Sequence, residues 1–136
     1  MKKITTIAIL LFISVALSSC GTSTKQKMQG KWRWESIRQS SGDMLNMMDD
    51  ELYFIFKGDQ YLYHDATQKG LNEEWSKALK FTIDEKTKLM TVTPLDASAA
   101  QEHYKVAFTE DGYLNLTIDD ASSPLYNSVW IMKKVK

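Results

Sequence analysis

From residue 30 onward, apolar and polar side chains alternate with a period of two, interrupted by short turn signals. That is the pattern of strands with one buried face. Residues 31–38 alternate polar with aromatic and set Trp32 and Trp34 on one face. Residues 52–56 group Leu52, Phe54 and Phe56, Gly58-Asp59 makes a turn, and residues 60–64 point Tyr61 and Tyr63 the same way. A fourth strand is expected over residues 75–83, although residues 73–79 suit a helical turn equally well. Residues 84–87 form a turn and residues 88–93 a fifth strand that stops at Pro94. Residues 102–108 keep Tyr104, Val106 and Phe108 in register. Glu110-Asp111-Gly112 then turns the chain into residues 113–118, where Leu114, Leu116 and Ile118 face together. Residues 128–135 complete the set.

One stretch departs from period two. Met44, Met47 and Met48 fall at i, i+3 and i+4, behind Ser41-Gly42-Asp43 as a candidate N-cap. Residues 43–50 are therefore expected as a short helix, which at that length needs packing to exist. Eight short strands with tight turns predict an all-β fold: a small eight-stranded antiparallel up-and-down barrel, with one short helix.

The first residues follow a different pattern. Met1-Lys2-Lys3 is basic, and residues 4–17 are apolar apart from Thr and Ser, which is the layout of a secretory signal. The run is short for a transmembrane helix, which needs about 20 apolar residues. Leu17-Ser18-Ser19-Cys20 looks like a lipobox: an aliphatic residue, two small ones, then the only cysteine of the chain. The resemblance implies cleavage before Cys20 and diacylglycerol on its sulfur. The rival assignment, a plain secretory signal, leaves a lone exported thiol with no disulfide partner. The expected organisation is thus a signal peptide over residues 1–19, a lipidated tether over residues 20–28 and a barrel over residues 29–136. Gly21 leaves no acidic residue after the cysteine, and residues 22–27 carry no acidic cluster. The expected location is therefore the cell envelope, lipid-anchored at the periplasmic face of the outer membrane.

Charge narrows the partners. Of 136 residues, 17 are basic and 17 acidic, and losing Lys2 and Lys3 with the leader leaves a net charge of about −2. Nucleic-acid binding, which wants a concentrated basic stripe, is not expected. Catalysis is not expected either. His64 and His103, the only histidines, sit in no metal-ligand spacing with each other or with cysteine, and no cofactor motif is present. Asp49-Asp50-Glu51 and Asp119-Asp120 read as solvated acidic faces rather than calcium ligands. The envisaged partners are the membrane, through diacylglyceryl-Cys20, a small apolar ligand, and an envelope protein.

Gly30-Lys31-Trp32 opens the first strand. A Gly-x-Trp there, ahead of an eight-strand meander, resembles the lipocalin-like domains of bacterial lipoproteins, over residues 29–136 in architecture and over those three residues as a motif. The resemblance implies that Trp32 closes the bottom of the barrel. It also implies a cation from the last strand over that ring. The only arginines are Arg33 and Arg38, both in the first strand, so Lys133 or Lys134 would take the role in place of arginine.

An eight-stranded barrel is either filled by its own side chains or holds one small ligand. The candidate interior comprises Trp32, Trp34, Phe54, Phe56, Tyr61, Tyr63, Tyr104, Val106, Phe108, Leu114, Leu116 and Ile131. The aromatic members are also the candidate cavity lining: Trp32, Trp34, Phe54, Phe56, Tyr61, Tyr63, Tyr104 and Phe108. Met44, Met47 and Met48 are either a packed plug or a soft lid over an apolar ligand. Trp75 and Trp130 are left as candidate outer-surface anchors for a protein partner.

Overall fold

The first strand, β1 (Gly30–Arg38), is nine residues long and outreaches any single neighbour on one side. In the computed structural model, which describes residues 22–67, 73–96 and 98–136, β1 uses three partners. Its first half pairs with β3 (Leu52–Lys57), with Trp32 opposite Phe54. Its second half pairs with the three-residue β2 (Met44–Asn46). Its other edge pairs with β9 (Val129–Lys134), and this contact closes the sheet. The register against β9 shifts between Trp34 and Ser36, a bulge that bends β1 as closure requires.

Between these lie β4 (Gln60–Asp65), β5 (Leu79–Asp84), β6 (Leu89–Thr93), β7 (Glu102–Phe108) and β8 (Tyr113–Ile118), each antiparallel to the next. The result is a closed eight-stranded antiparallel barrel with β2 as an extra strand. The chain from residue 22 onward carries every described element, closes its own sheet and holds its own core.

The expected helix over residues 43–50 is not formed. Gly42, at φ +96°, turns the chain back on β1, and Ser41 Oγ bonds the Asp43 carboxylate that was to cap the helix. The free edge of β1 decides the outcome. Ser36 to Arg38 extend past β3, and β2 supplies their ladder, while the Met47 amide bonds the Glu35 carbonyl at the bulge. The expected fourth strand also splits. Trp75–Lys77 is a 3-10 turn, and pairing begins only at Leu79.

The helix that does form is α1 (Thr24–Met28), inside the stretch expected as a tether. Ser23 and Gln26 build a reciprocal capping box. Five residues cannot hold a helix alone, so α1 stands by packing. Met28 has no exposed surface, and its carbonyl accepts a 2.7 Å hydrogen bond from Trp32 Nε1. The Thr24 and Lys25 amides donate to the Glu85 carboxylate in the β5–β6 turn, at 3.1 and 3.2 Å. Gln29 bonds the Gly58 backbone in the β3–β4 turn through both ends of its amide. Helix α1 therefore caps one end of the barrel.

At that closed end the Gly-x-Trp motif has a physical reading. Gly30 adopts φ +113°, and a Cβ there would lie 3.0 Å from Lys134 Cε and Nζ. Glycine lets Lys134 reach across, bond the Gln29 carbonyl and set its ammonium 5.1 Å from the centre of the Trp32 ring. Trp32 and a last-strand lysine thus stand as the resemblance implied, with Lys134 as the cation.

Glu85 makes the cap sensitive to acid. Desolvation opposes its ionisation. The hydrogen bonds from the Thr24 and Lys25 amides outweigh it, helped by the Thr24 hydroxyl and Lys88, and hold the carboxyl at about 2 instead of its ordinary 4.5. A lowered folded-state value means the contribution is complete above about 4.5 and is lost as pH falls towards 2. The Thr24 and Lys25 amide resonances should move in that acid window, and Glu85→Gln should abolish the movement. Amides that titrate at the ordinary carboxylate value would contradict the docking geometry.

The middle of the barrel is filled. Phe54, Phe56, Phe81, Met90, Val92, Leu114, Leu116 and Met132 are essentially inaccessible and form one cluster with Trp32, Tyr61, Tyr104, Val106 and Ile118. Outside the wall, Ile55, Leu62 and Ala78 make a second small cluster, covered by Tyr53 and Trp75.

Candidate functional site

The two ends of the barrel differ. Opposite α1, the inward-facing positions of β1, β3, β4, β7 and β9 present a continuous aromatic group that no helix covers among the described residues. Trp34 lies 5.3 Å from Phe54 and 5.0 Å from Trp130, ring centre to ring centre. Phe54 stacks on Tyr61 at 5.6 Å and meets Tyr63 at 5.4 Å, and Trp130 meets Tyr104 at 5.3 Å. Period-two alternation brings these rings together: Tyr61 and Tyr63 are two residues apart on β4, and Trp32 and Trp34 on β1. Depth then separates them. Tyr61 is 8% exposed, whereas Tyr63, one pair nearer the rim, is 47% exposed.

The wall beside these tyrosines is parted. β4 pairs with β5 only at Gln60–Lys80 and Tyr61–Leu79, so the ladder stops and the rest of β4 has no β5 partner. A recess of about 390 Å³ occupies the gap, lined by Tyr61, Leu62, Tyr63, His64, Asp65, Glu74, Lys77 and Leu79. A second recess of about 230 Å³ lies across the rim, between Glu102, His103, Tyr104, Ile118, Asp120, Ser123, Leu125 and Trp130.

Polar groups here are few and placed. Tyr104 Oη donates to Glu102 Oε2 at 2.6 Å. Burial pushes the Tyr104 hydroxyl far above the usual tyrosine range, and its hydrogen bond to Glu102 and the Glu102 charge add to the effect. Burial does the same to Tyr61, reinforced by Glu102 and Tyr63, and raises Tyr63, reinforced by Asp65 and Asp50. All three therefore remain neutral hydroxyls at physiological pH. Trp34 Nε1 is buried with no hydrogen-bond partner among the described residues, an unmet donor among the rings.

Of the eight candidate cavity residues, Trp34, Phe54, Tyr61, Tyr63 and Tyr104 belong to this open-end group. Trp32, Phe56 and Phe108 do not. Trp32 is 3% exposed beneath α1, Phe108 packs on it with ring centres 6.2 Å apart, and Phe56 meets Phe81 at 5.4 Å. They are closed-end core, because strand position sets depth while parity sets only the face.

Other assignments shift for similar reasons. Ile131 points outward and lines an open groove with Met44, Leu45 and Met48. Its neighbours Trp130 and Met132 face inward, so Trp130 is a member of the site and not an outer anchor. Trp75 is half-buried in the outer cluster. Of the expected plug or lid, Met44 in β2 and Met48 just after it line the outer groove instead, 55% and 47% exposed.

His64 borders the β4–β5 recess, and His103 Nδ1 is 3.1 Å from Thr91 Oγ1. Sequence reasoning missed Trp130, because residues 129–132 are apolar on both faces and period two does not choose between them. The bond from Tyr104 that fixes Glu102 in the site is not visible in the alternation either.

Comparison with protein families, with curated proteins and with solved structures returned no match. The closed barrel is compatible with a lipocalin-like fold, and its architecture carries that likeness.

Proposed function

We propose that this protein is a lipid-anchored binding protein of the cell envelope, which holds a small, largely apolar molecule at the open end of its barrel. The observation that carries the reading is the difference between the two ends. One is sealed by α1, Trp32 and Lys134. The other leaves large aromatic rings partly in contact with water, beside a strand pair that parts after two residues. Recesses that combine apolar walls with a few placed polar groups are what small-molecule sites are made of. The filled middle limits the ligand to the rim, so it is held in contact with solvent and can be exchanged there. The anchor in this reading is diacylglyceryl-Cys20, at the periplasmic face of the outer membrane, and the protein performs no catalysis.

The protein isolated from its own membranes should carry a stoichiometric small molecule in native mass spectra. The same mass should appear in an organic extract and disappear from a Trp34→Ala, Trp130→Ala variant. A bare protein mass that stays unchanged after incubation with envelope lipid extract would overturn the proposal.

A second reading, a non-enzymatic accessory protein, draws on the filled core and on exposed Met44, Leu45 and Met48 beside the outer groove. It predicts that cross-linkers placed at Leu45 capture one envelope protein, and that the open-end variants leave this capture intact.

A further inference from the structure

We propose that the molecule held at the open end is an organic cation, an amine or quaternary ammonium carried on an apolar body. This inference rests on the binding reading above and names its ligand class. Aromatic faces attract cations through their quadrupole, most strongly where water is excluded.

Elsewhere this protein satisfies such faces itself. Lys25, Lys27, Lys31, Lys57, Lys133 and Lys134 each set an ammonium 4.2–6.0 Å from the centre of a ring at the closed end or on the outer wall. The open-end group, Trp34, Phe54, Tyr61, Tyr63, Tyr104 and Trp130, has no such partner among the described residues. Neighbouring rings of the group lie 5.0–6.5 Å apart, centre to centre, yet no lysine or arginine of the described residues lies over them.

The charges at the rim point the same way. Asp65 and Glu74 line one recess, and Glu102 and Asp120 the other. Among the described residues lining the two recesses, Lys77 is the one lysine or arginine, and its ammonium is held 2.7 Å from Glu74. The balance of these described residues is therefore negative on both sides of the aromatic group. Tyr104 donates to Oε2 of Glu102, which fixes this carboxylate beside the Tyr104–Trp130 pair. Neutral tyrosine hydroxyls and carboxylates can accept hydrogen bonds from an ammonium, and an anion would meet the carboxylates unpaired. A neutral apolar molecule would use the rings and leave the negative rim unanswered.

The test compares octyltrimethylammonium, 1-octanol and octanoate, which share one alkyl chain and differ in charge. Each is titrated into the chain of residues 21–136 and followed by tryptophan emission and calorimetry. The cation should bind about tenfold more tightly than the alcohol, with octanoate weakest. Glu102→Gln combined with Asp65→Asn should bring the cation down to the alcohol's affinity. Raising the salt concentration on the unmodified chain should shrink the preference without any mutation. Equal binding of all three, or a preference indifferent to both the substitutions and salt, overturns the cation assignment and leaves the binding site in place. No response to any of the three overturns the open-end site itself.

Discussion

Replacing Trp32 with alanine is expected to cost about 3–5 kcal/mol of stability, the range for removing a large buried aromatic side chain. The side chain is 3% exposed and sits where four features meet: the Met28 carbonyl, the Lys134 ammonium, the Phe108 ring and the Phe54 backbone pair. Alanine would leave a cavity beneath α1 that the rigid barrel wall cannot collapse into. Trp32→Phe separates the contributions. It keeps most of the ring but leaves the Met28 carbonyl without its donor, so about 1–3 kcal/mol should be lost. Chemical denaturation of the two variants checks both figures. An alanine variant as stable as the phenylalanine variant would mean that Trp32 does not seal the closed end.

The second large effect concerns the segment before the barrel. A chain that starts at Gln29 keeps every strand but loses α1, and it should be destabilised by about 2–4 kcal/mol. Met28 alone accounts for about 1.5–3 kcal/mol of that as a fully buried side chain. The rest comes from exposing the rings beneath it: Phe81, Phe108 and Trp32 face α1, with Lys25 and Lys27 over the first two. A chain that starts at Thr22 should match the longer protein. Equal midpoints for the Gln29 and Thr22 starts would show α1 to be an ornament on the barrel.

That segment also shows what a sequence pattern can and cannot express. Residues 22–28 are small, polar and short, so composition alone reads them as a tether. Their helix exists because Glu85, 61 residues beyond Thr24, supplies a carboxylate to the first amides. The strands needed no such help. Tyr104, Val106 and Phe108 on β7, and Leu114, Leu116 and Ile118 on β8, face inward as period two requires, within the bounds expected.

The methionines at 44, 47 and 48 misled because helical spacing is a local signal, whereas the open edge of β1 is a demand made by the whole sheet. In the candidate site, face was legible and depth was not. Parity put Trp32 and Trp34 together, and the bulge after Trp34 with the helix beneath Trp32 assigned them to opposite ends. Trp130 was hidden in an apolar run, and the parting of β4 from β5 left no mark in either strand.

The central claim is that molecules bind at the open end, and the four tryptophans of the chain offer a direct reading of it. Their indole N–H resonances can be followed one by one in a nitrogen-labelled protein as envelope lipid extract or an alkylammonium is added. Trp34 Nε1 starts without a partner among the rings, whereas Trp32 Nε1 is already bonded to Met28 beneath the cap. The Trp34 and Trp130 signals should shift together and saturate, while the Trp32 signal stays in place. Shifts confined to Trp32 or Trp75, or no saturable shift at all, would contradict a site at the open end.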